Sequence, residues 1–192
     1  MEGESKKIIE LLRKRASGLV DNYMRNIHSC VVELEEAIGN IRSLLRSTYS
    51  VKYAKAGETK QLHVACDRIM DSYYRFRERL EKFSKDDLGS VGVKVSPSFK
   101  GKNQILRQSR GASVHNEAAL FKRETSKGQV SCPIDSYAYP YEGECDSVEV
   151  EFMGEKSFKY ETTFDELVDD IESSVQSVLH IYFEALDMRL PV

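Results

Sequence analysis

One apolar rhythm limits what this chain can fold into. From Val20 the hydrophobic positions Val20, Met24, Ile27, Val31, Leu34, Ile38, Ile41 and Leu45 alternate steps of four and three. That is the a/d seam of helices that pack on other helices. Ile9, Leu12, Ala16 and Leu19 carry the apolar face toward the N-terminus, while Glu33, Glu35, Glu36, Arg42 and Arg46 fall off the seam. Neither Pro nor a Gly pair interrupts the pattern, and Gly18 and Gly39 are single helix-weakening residues that each cost about 1 kcal/mol against alanine. The pattern predicts one helix over 5–48, roughly 65 Å long at 1.5 Å per residue.

Two further stretches keep the same beat. Leu62, Cys66, Ile69, Tyr73, Phe76, Leu80 and Phe83 form a bulkier seam, opened at Glu58 or Thr59 and closed by Asp86–Gly89. Residues 50–59, with Gly57, read as the turn before it. Phe164, Val168, Ile171, Val175, Val178, Tyr182 and Ala185 form the third, over 163–187. Thr163 and Glu166 have the spacing of a capping box, in which side chain and backbone satisfy each other at a helix start.

The seams differ in length. The first runs about 54 Å from Ile9 to Leu45 and the second about 32 Å from Leu62 to Phe83. A hairpin of the two leaves roughly 20 Å of apolar surface uncovered near the N-terminus. Contiguous exposed apolar surface marks an interface. Either the C-terminal helix returns to cover it or a partner chain does. Ile9, Leu12, Val20, Met24, Ile27 and Val31 are therefore the candidate partner-interface residues, and Leu62, Ile69, Tyr73 and Phe76 close the hairpin.

Between residues 89 and 162 the helical rhythm is lost. Val91, Val93 and Val95 alternate, as do Val148, Val150 and Phe152, and Phe158 and Tyr160. Keeping their apolar faces aligned puts Phe152 opposite Phe158 and Val150 opposite Tyr160, with a three- or five-residue connection. Tyr137, Tyr139 and Tyr141 alternate around Pro140, which suits an edge strand. Weaker strands are expected at 104–107, 118–122 and 129–132, and a loop around 98–111. The fold class expected is α+β: a long N-terminal helical hairpin or coiled coil, a small antiparallel β-sheet, and a capped C-terminal helix. The expected division is 1–88, helical, and 89–192, a small α+β domain.

Charge is uneven along the chain. The formal net charge is −3. Residues 1–87 hold 17 basic and 14 acidic side chains, 88–130 hold 8 and 2, and 131–192 hold 3 and 15. There is thus no global basic field, only a local basic stretch. Within it Lys100, Lys102, Arg107, Arg110, Lys122 and Arg123 are the candidate nucleic-acid contacts, with Phe99 and Phe121 as aromatic neighbours. No stretch reaches the ~20 apolar residues of a membrane span. The polar start MEGESKK and four scattered cysteines suit an intracellular chain, cytoplasmic or nuclear.

Motifs that carry chemistry are missing. There is no G-x-S-x-G, no phosphate-binding glycine loop and no C-x-x-C pair. His63 and Cys66, three apart, with Cys132 and Cys145, are the one set of metal-ligand types, but Cys66 sits on the apolar seam, where a thiol acts as a small hydrophobe. No catalytic residue, metal or cofactor is assigned, and the chain is expected not to be an enzyme. Residues 72–83, Ser-Tyr-Tyr-Arg-Phe-Arg-Glu-Arg-Leu-Glu-Lys-Phe, resemble the Arg-rich helix of a GINS replication-complex subunit. The capped C-terminal helix departs from that family, which would end in a small β domain, and no residue role is carried over. A helical hairpin joined to a small β domain is also common among kinetochore and other chromosome-complex subunits, a fold-level analogy.

The function expected is a non-catalytic structural or interaction subunit of a multiprotein assembly, joined to a protein partner or to itself through heptad helices. The alternatives are a nucleic-acid-associated subunit of a chromosome or replication complex using residues 94–127, and a monomeric helical bundle with a β insertion.

Overall fold

A computed structural model describes residues 1–50, 56–97, 119–125, 128–132, 147–153 and 159–191. Helices dominate it: α1 (Glu2–Arg15), α2 (Val20–Tyr23), α3 (Ser29–Ser50), α4 (Ala56–Lys82), the short α5 (Leu88–Ser90) and α6 (Phe164–Arg189). A 3₁₀ turn at Ser17–Leu19 precedes α2, and π-helical turns at Met24–His28 and Phe83–Asp87 join α2 to α3 and α4 to α5.

The first seam is not one straight helix. Ala16 leaves helical geometry at φ −151°, ψ 56°, and the 3₁₀ turn over Ser17 and Gly18 follows. The backbone N–H of Glu2 then donates to the Glu35 carboxylate at 2.7 Å. Along an unbroken helix, residues 33 apart would stand about 50 Å from each other. So α1 doubles back on the helix that follows it. The single-residue cost of Gly18 was the local signal, and tertiary packing turned a weak point into a reversal. The apolar surface which the unequal seams left bare is buried within the chain, in a unit that holds both the reversed α1 and the returning end of the C-terminal helix.

The hairpin of α3 and α4 is antiparallel. Glu33 pairs with Arg75 at 3.0 Å, and Arg79 donates to Cys30 Sγ at 3.5 Å, so one index falls as the other rises. Every residue of the second seam is buried, from Leu62 to Phe83. Helix α4 begins at Ala56, ahead of the expected Glu58 or Thr59. Its helical run passes through the π turn and α5 to Ser90, one residue past the expected 86–89, and finishes in a Schellman close. Gly92 N–H donates to Gly89 O at 3.1 Å and Val93 N–H to Leu88 O at 2.9 Å, with Gly92 at φ +77°. This left-handed residue satisfies the last carbonyls, and Leu88 and Val93 are both buried beside it. The alternation of Val91, Val93 and Val95 is therefore a helix exit, not a strand, and Val91 is exposed.

At the start of α6 the capping box forms. Glu166 N–H donates to Thr163 Oγ1 at 3.2 Å, and Thr163 N–H donates to Glu166 Oε2 at 3.3 Å. All seam residues of α6 are buried except Ala185, which is half-buried.

Four strands, β1 (Ala119–Thr125), β2 (Gly128–Cys132), β3 (Ser147–Met153) and β4 (Lys159–Thr163), pair antiparallel in the order β2-β1-β3-β4. Val150 is the one core residue described on them. The β3–β4 register sets Phe152 against Tyr160 and Val150 against Thr162. This differs by two residues from the expected pairing, a slip that leaves the period-two pattern in phase. The stretches expected as strands at 104–107 and 137–141, and the loop at 98–111, lie outside the described residues.

The chain divides into two compact units that do not follow the 1–88 and 89–192 division. The first comprises residues 1–36, 72–103 and 171–192, and the second 37–71 and 104–170. Long helices are the reason: α3, α4 and α6 each supply residues to both. In the first unit, α1 meets the end of α6, where Arg15 pairs with Asp187 at 3.1 Å and also donates to the Leu190 carbonyl at 3.2 Å. Near the π turns, Asn22 donates to the Asp87 carboxylate at 2.8 Å. In the second unit, Arg42 of α3 pairs with Asp169 of α6 at 2.9 Å.

Candidate functional site

Of the six residues expected to meet a partner, five are covered by the chain itself. Ile9, Leu12, Val20, Ile27 and Val31 are buried in the first unit, and Leu12, Ile27 and Val31 have no exposed surface. Met24 is different, at 39% exposure. It opens the π turn, which inserts extra backbone into the helix and moves the seam by one residue, so that Tyr23 takes the inward place. The strict 4-3 spacing through Met24 concealed that shift.

Around Tyr23 lies a polar cluster that sequence reasoning missed. Its hydroxyl bonds Ser5 Oγ at 2.9 Å, and Ser5 Oγ bonds His28 Nδ1 at 3.0 Å. Both Ser5 and Tyr23 are fully buried, while His28 is half-buried. The Tyr23 ring meets Phe83 edge-on, with centroids 5.6 Å apart at 70°. Ser84, in the same unit, donates to the Leu80 carbonyl at 2.8 Å and reaches the Tyr182 hydroxyl at 3.5 Å. Burial pushes the Tyr23 phenol far up, against a smaller opposing effect of the Ser5 bond. The phenol therefore stays protonated, and no substrate reaches a serine with no exposed surface. Chemically the cluster is a buried clasp: it holds α1 in register on the helix it folds against. An isolated Ser5 or His28 in the sequence gives no sign of it.

The basic candidates divide. Lys100, Lys102, Arg107 and Arg110 lie outside the described residues. Lys122 and Arg123 are on β1, where the register sets Lys122 opposite Glu149 of β3. The His63, Cys132 and Cys145 side chains also lie outside the described ones. Cys66 is fully buried, and burial pushes its thiol far up. Among the described residues no group of three or more His, Cys, Asp or Glu is placed to hold a metal. No helix among them is long and apolar enough to cross a membrane.

An open apolar groove stands on the second unit. Ala37, Asn40 and Leu44 of α3 form one wall, and Gln61, Val64, Ala65 and Arg68 of α4 form the other, around a volume of about 490 Å³. Positions 37, 40 and 44 share one face of α3, and positions 61, 64, 65 and 68 share one face of α4, at 100° per residue. Six of the seven stand one residue before a core residue: Ile38, Ile41, Leu45, Leu62, Cys66 and Ile69. The groove is thus a second stripe beside the closed seam. Val64 is its most prominent apolar member, 58% exposed.

Compared with protein-family models, curated proteins and solved structures, the chain matches none of them.

Proposed function

We propose that this protein is a non-catalytic interaction subunit of a multiprotein assembly, meeting its partner on the outer faces of its heptad helices. The observation that carries the reading is the open groove of α3 and α4, where Val64 is exposed and Leu44 and Ala65 are half-buried beside a filled core. Exposed apolar surface in a connected groove favours association, since burying it removes roughly 25 cal/mol per Å². The inner seam is a poorer partner surface, because Leu12, Ile27 and Val31 are already covered.

Two measurements test this. Native sizing of the chain in an extract of its source cell is expected to find it in a species well above its own 21.9 kDa. Recovery only as a free 21.9 kDa chain, in the extract and by light scattering of the purified protein, would refute the reading. Ile9→Asp with Leu12→Asp is expected to lower the melting temperature rather than release a folded monomer. A folded, monomeric double variant would return the interface to the inner seam.

A further inference from the structure

The reversal that folds α1 back on its own chain also defines a way for two copies to join. We infer that α1 exchanges between two copies of this chain: the hinge at Ala16–Leu19 straightens, and each α1 takes, on the other copy, the bed it covers on its own. The inner seam stays covered in both arrangements, and the α3–α4 groove takes no part.

The covered face runs in phase straight through the reversal. Ser5, Ile9, Leu12, Ala16, Leu19 and Tyr23 step four, three, four, three and four, and all are buried or half-buried. Faces on either side of a turn need no common phase, whereas one continuous helix does. The hinge is also small. Between α1 and α2 only Ala16 leaves helical geometry, at φ −151° and ψ 56°, while Ser17–Leu19 is already a 3₁₀ turn. Alanine is the strongest helix former, so bringing position 16 into the helix strains nothing and restores backbone bonds that the bend gives up.

What fills the bed is on view in the closed chain: residues 2–15 of the same sequence. Helix α1 lies antiparallel on the helix that follows it, since Glu2 meets Glu35 and Ser5 meets His28. Both pairs are centred on the hinge. Two straightened copies crossing at a two-fold axis there would therefore make the same pairs between chains. Ile8 and Leu12, which have no exposed surface, would stay buried, and Glu4 would meet His180 of the second copy as it meets its own at 3.6 Å. The two arrangements thus differ in little but the hinge. The closed chain wins in dilute solution, because its own α1 is always at hand at an effective concentration on the order of millimolar. Conversion is slow, because α1 must first leave its bed and expose that apolar face.

The test is light scattering of the full chain refolded from urea at about 1 mM and at about 5 μM, each then brought to the same low concentration. A dimer that outlasts the dilution is expected from the first and a monomer from the second. Ser17→Pro should weaken dimerisation about ten-thousandfold, because each of the two straightened hinges loses about 3 kcal/mol. The closed chain accepts this change: Ser17 opens the 3₁₀ turn, where proline fits, and Ala16 before it is already outside the α region. The variant should keep the melting temperature and circular dichroism of the dilute parent. A second measurement does not depend on it. His180→Lys, at an exposed position, lets a carbodiimide join position 180 to Glu4. In dimers refolded from equal parts of isotope-labelled and unlabelled chain, about half of those cross-links should pair a labelled with an unlabelled peptide. A monomer from both refoldings, a dimer that Ser17→Pro leaves intact, or cross-links confined to single chains would overturn the inference. The last two would place the dimer on another surface. Each of these failures leaves the native-sizing test of the interaction reading standing on its own.

Discussion

The buried clasp gives the sharpest prediction, because two hydroxyls with no exposed surface depend on each other. Ser5→Ala leaves the Tyr23 hydroxyl in the core with its partner gone and no solvent contact. Orphaning such a group costs about 1–3 kcal/mol. Tyr23→Phe is milder. The ring keeps its edge contact with Phe83, and Ser5 keeps His28 as a partner at 3.0 Å, so only the net worth of one hydrogen bond, about 0.5–1.5 kcal/mol, is lost. In the double variant no hydroxyl of this pair remains, and half-buried His28 is open to water on its outer side. Adding Ser5→Ala to Tyr23→Phe should therefore cost only about 0.5 kcal/mol, and the cycle should show a coupling of about 1–2 kcal/mol. Urea unfolding of all four proteins, followed by circular dichroism at 222 nm, measures each quantity. Additivity within about 0.3–0.5 kcal/mol would refute the reasoning, since it would mean that the two hydroxyls do not satisfy each other.

Two other outcomes follow from single features. Gly92 holds φ +77°, where a Cβ would meet nothing within 4 Å, so Gly92→Ala carries a backbone penalty alone. A loss of about 1 kcal/mol, or roughly 2–4 °C in Tm, is expected by thermal melting, with Asn at this position less costly than Ala. Stability should also fall in alkali. Burial pushes the Cys66 thiol and the Tyr23 and Tyr182 phenols up, whereas in the unfolded chain they ionise at their ordinary values of 9.0 and 10.0. Their contribution is complete below pH 9 and is lost as the pH rises above it, because the unfolded state then releases protons that the folded state retains. The urea midpoint should drop between pH 8 and pH 10.5, and Cys66→Val should make the drop smaller; a flat midpoint would contradict this.

Much of the helical part could be read from local pattern. Leu62, Cys66, Ile69, Tyr73, Phe76, Leu80 and Phe83 recur at steps of four and three and are all buried, because a helix offers one face to its neighbours and the period names that face. Thr163 and Glu166 capped α6 as their spacing indicated, since a capping box involves only residues three apart. The groove was less legible. Val64, Gln61 and Arg68 look like ordinary surface positions, and only the pairing of α3 with α4 makes them one wall of an opening.

The sequence by itself determined which segments are helical, which of their faces are apolar and where the last helix begins. Those properties depend on side chains within a turn or two of one another. Tertiary structure alone decided that α1 reverses at Ala16–Leu19 instead of running on to 48, and that Tyr23 displaces Met24 from the seam. It also decided that Ser5, Tyr23 and His28 come together. A break costing about 1 kcal/mol at Gly18 carries no direction of its own. Burying Ile8, Leu12 and Ile27 stabilises by roughly 1.5–3 kcal/mol per side chain, and the Ser5–Tyr23 and Ser5–His28 bonds that accompany it form only once the chain has turned back on itself.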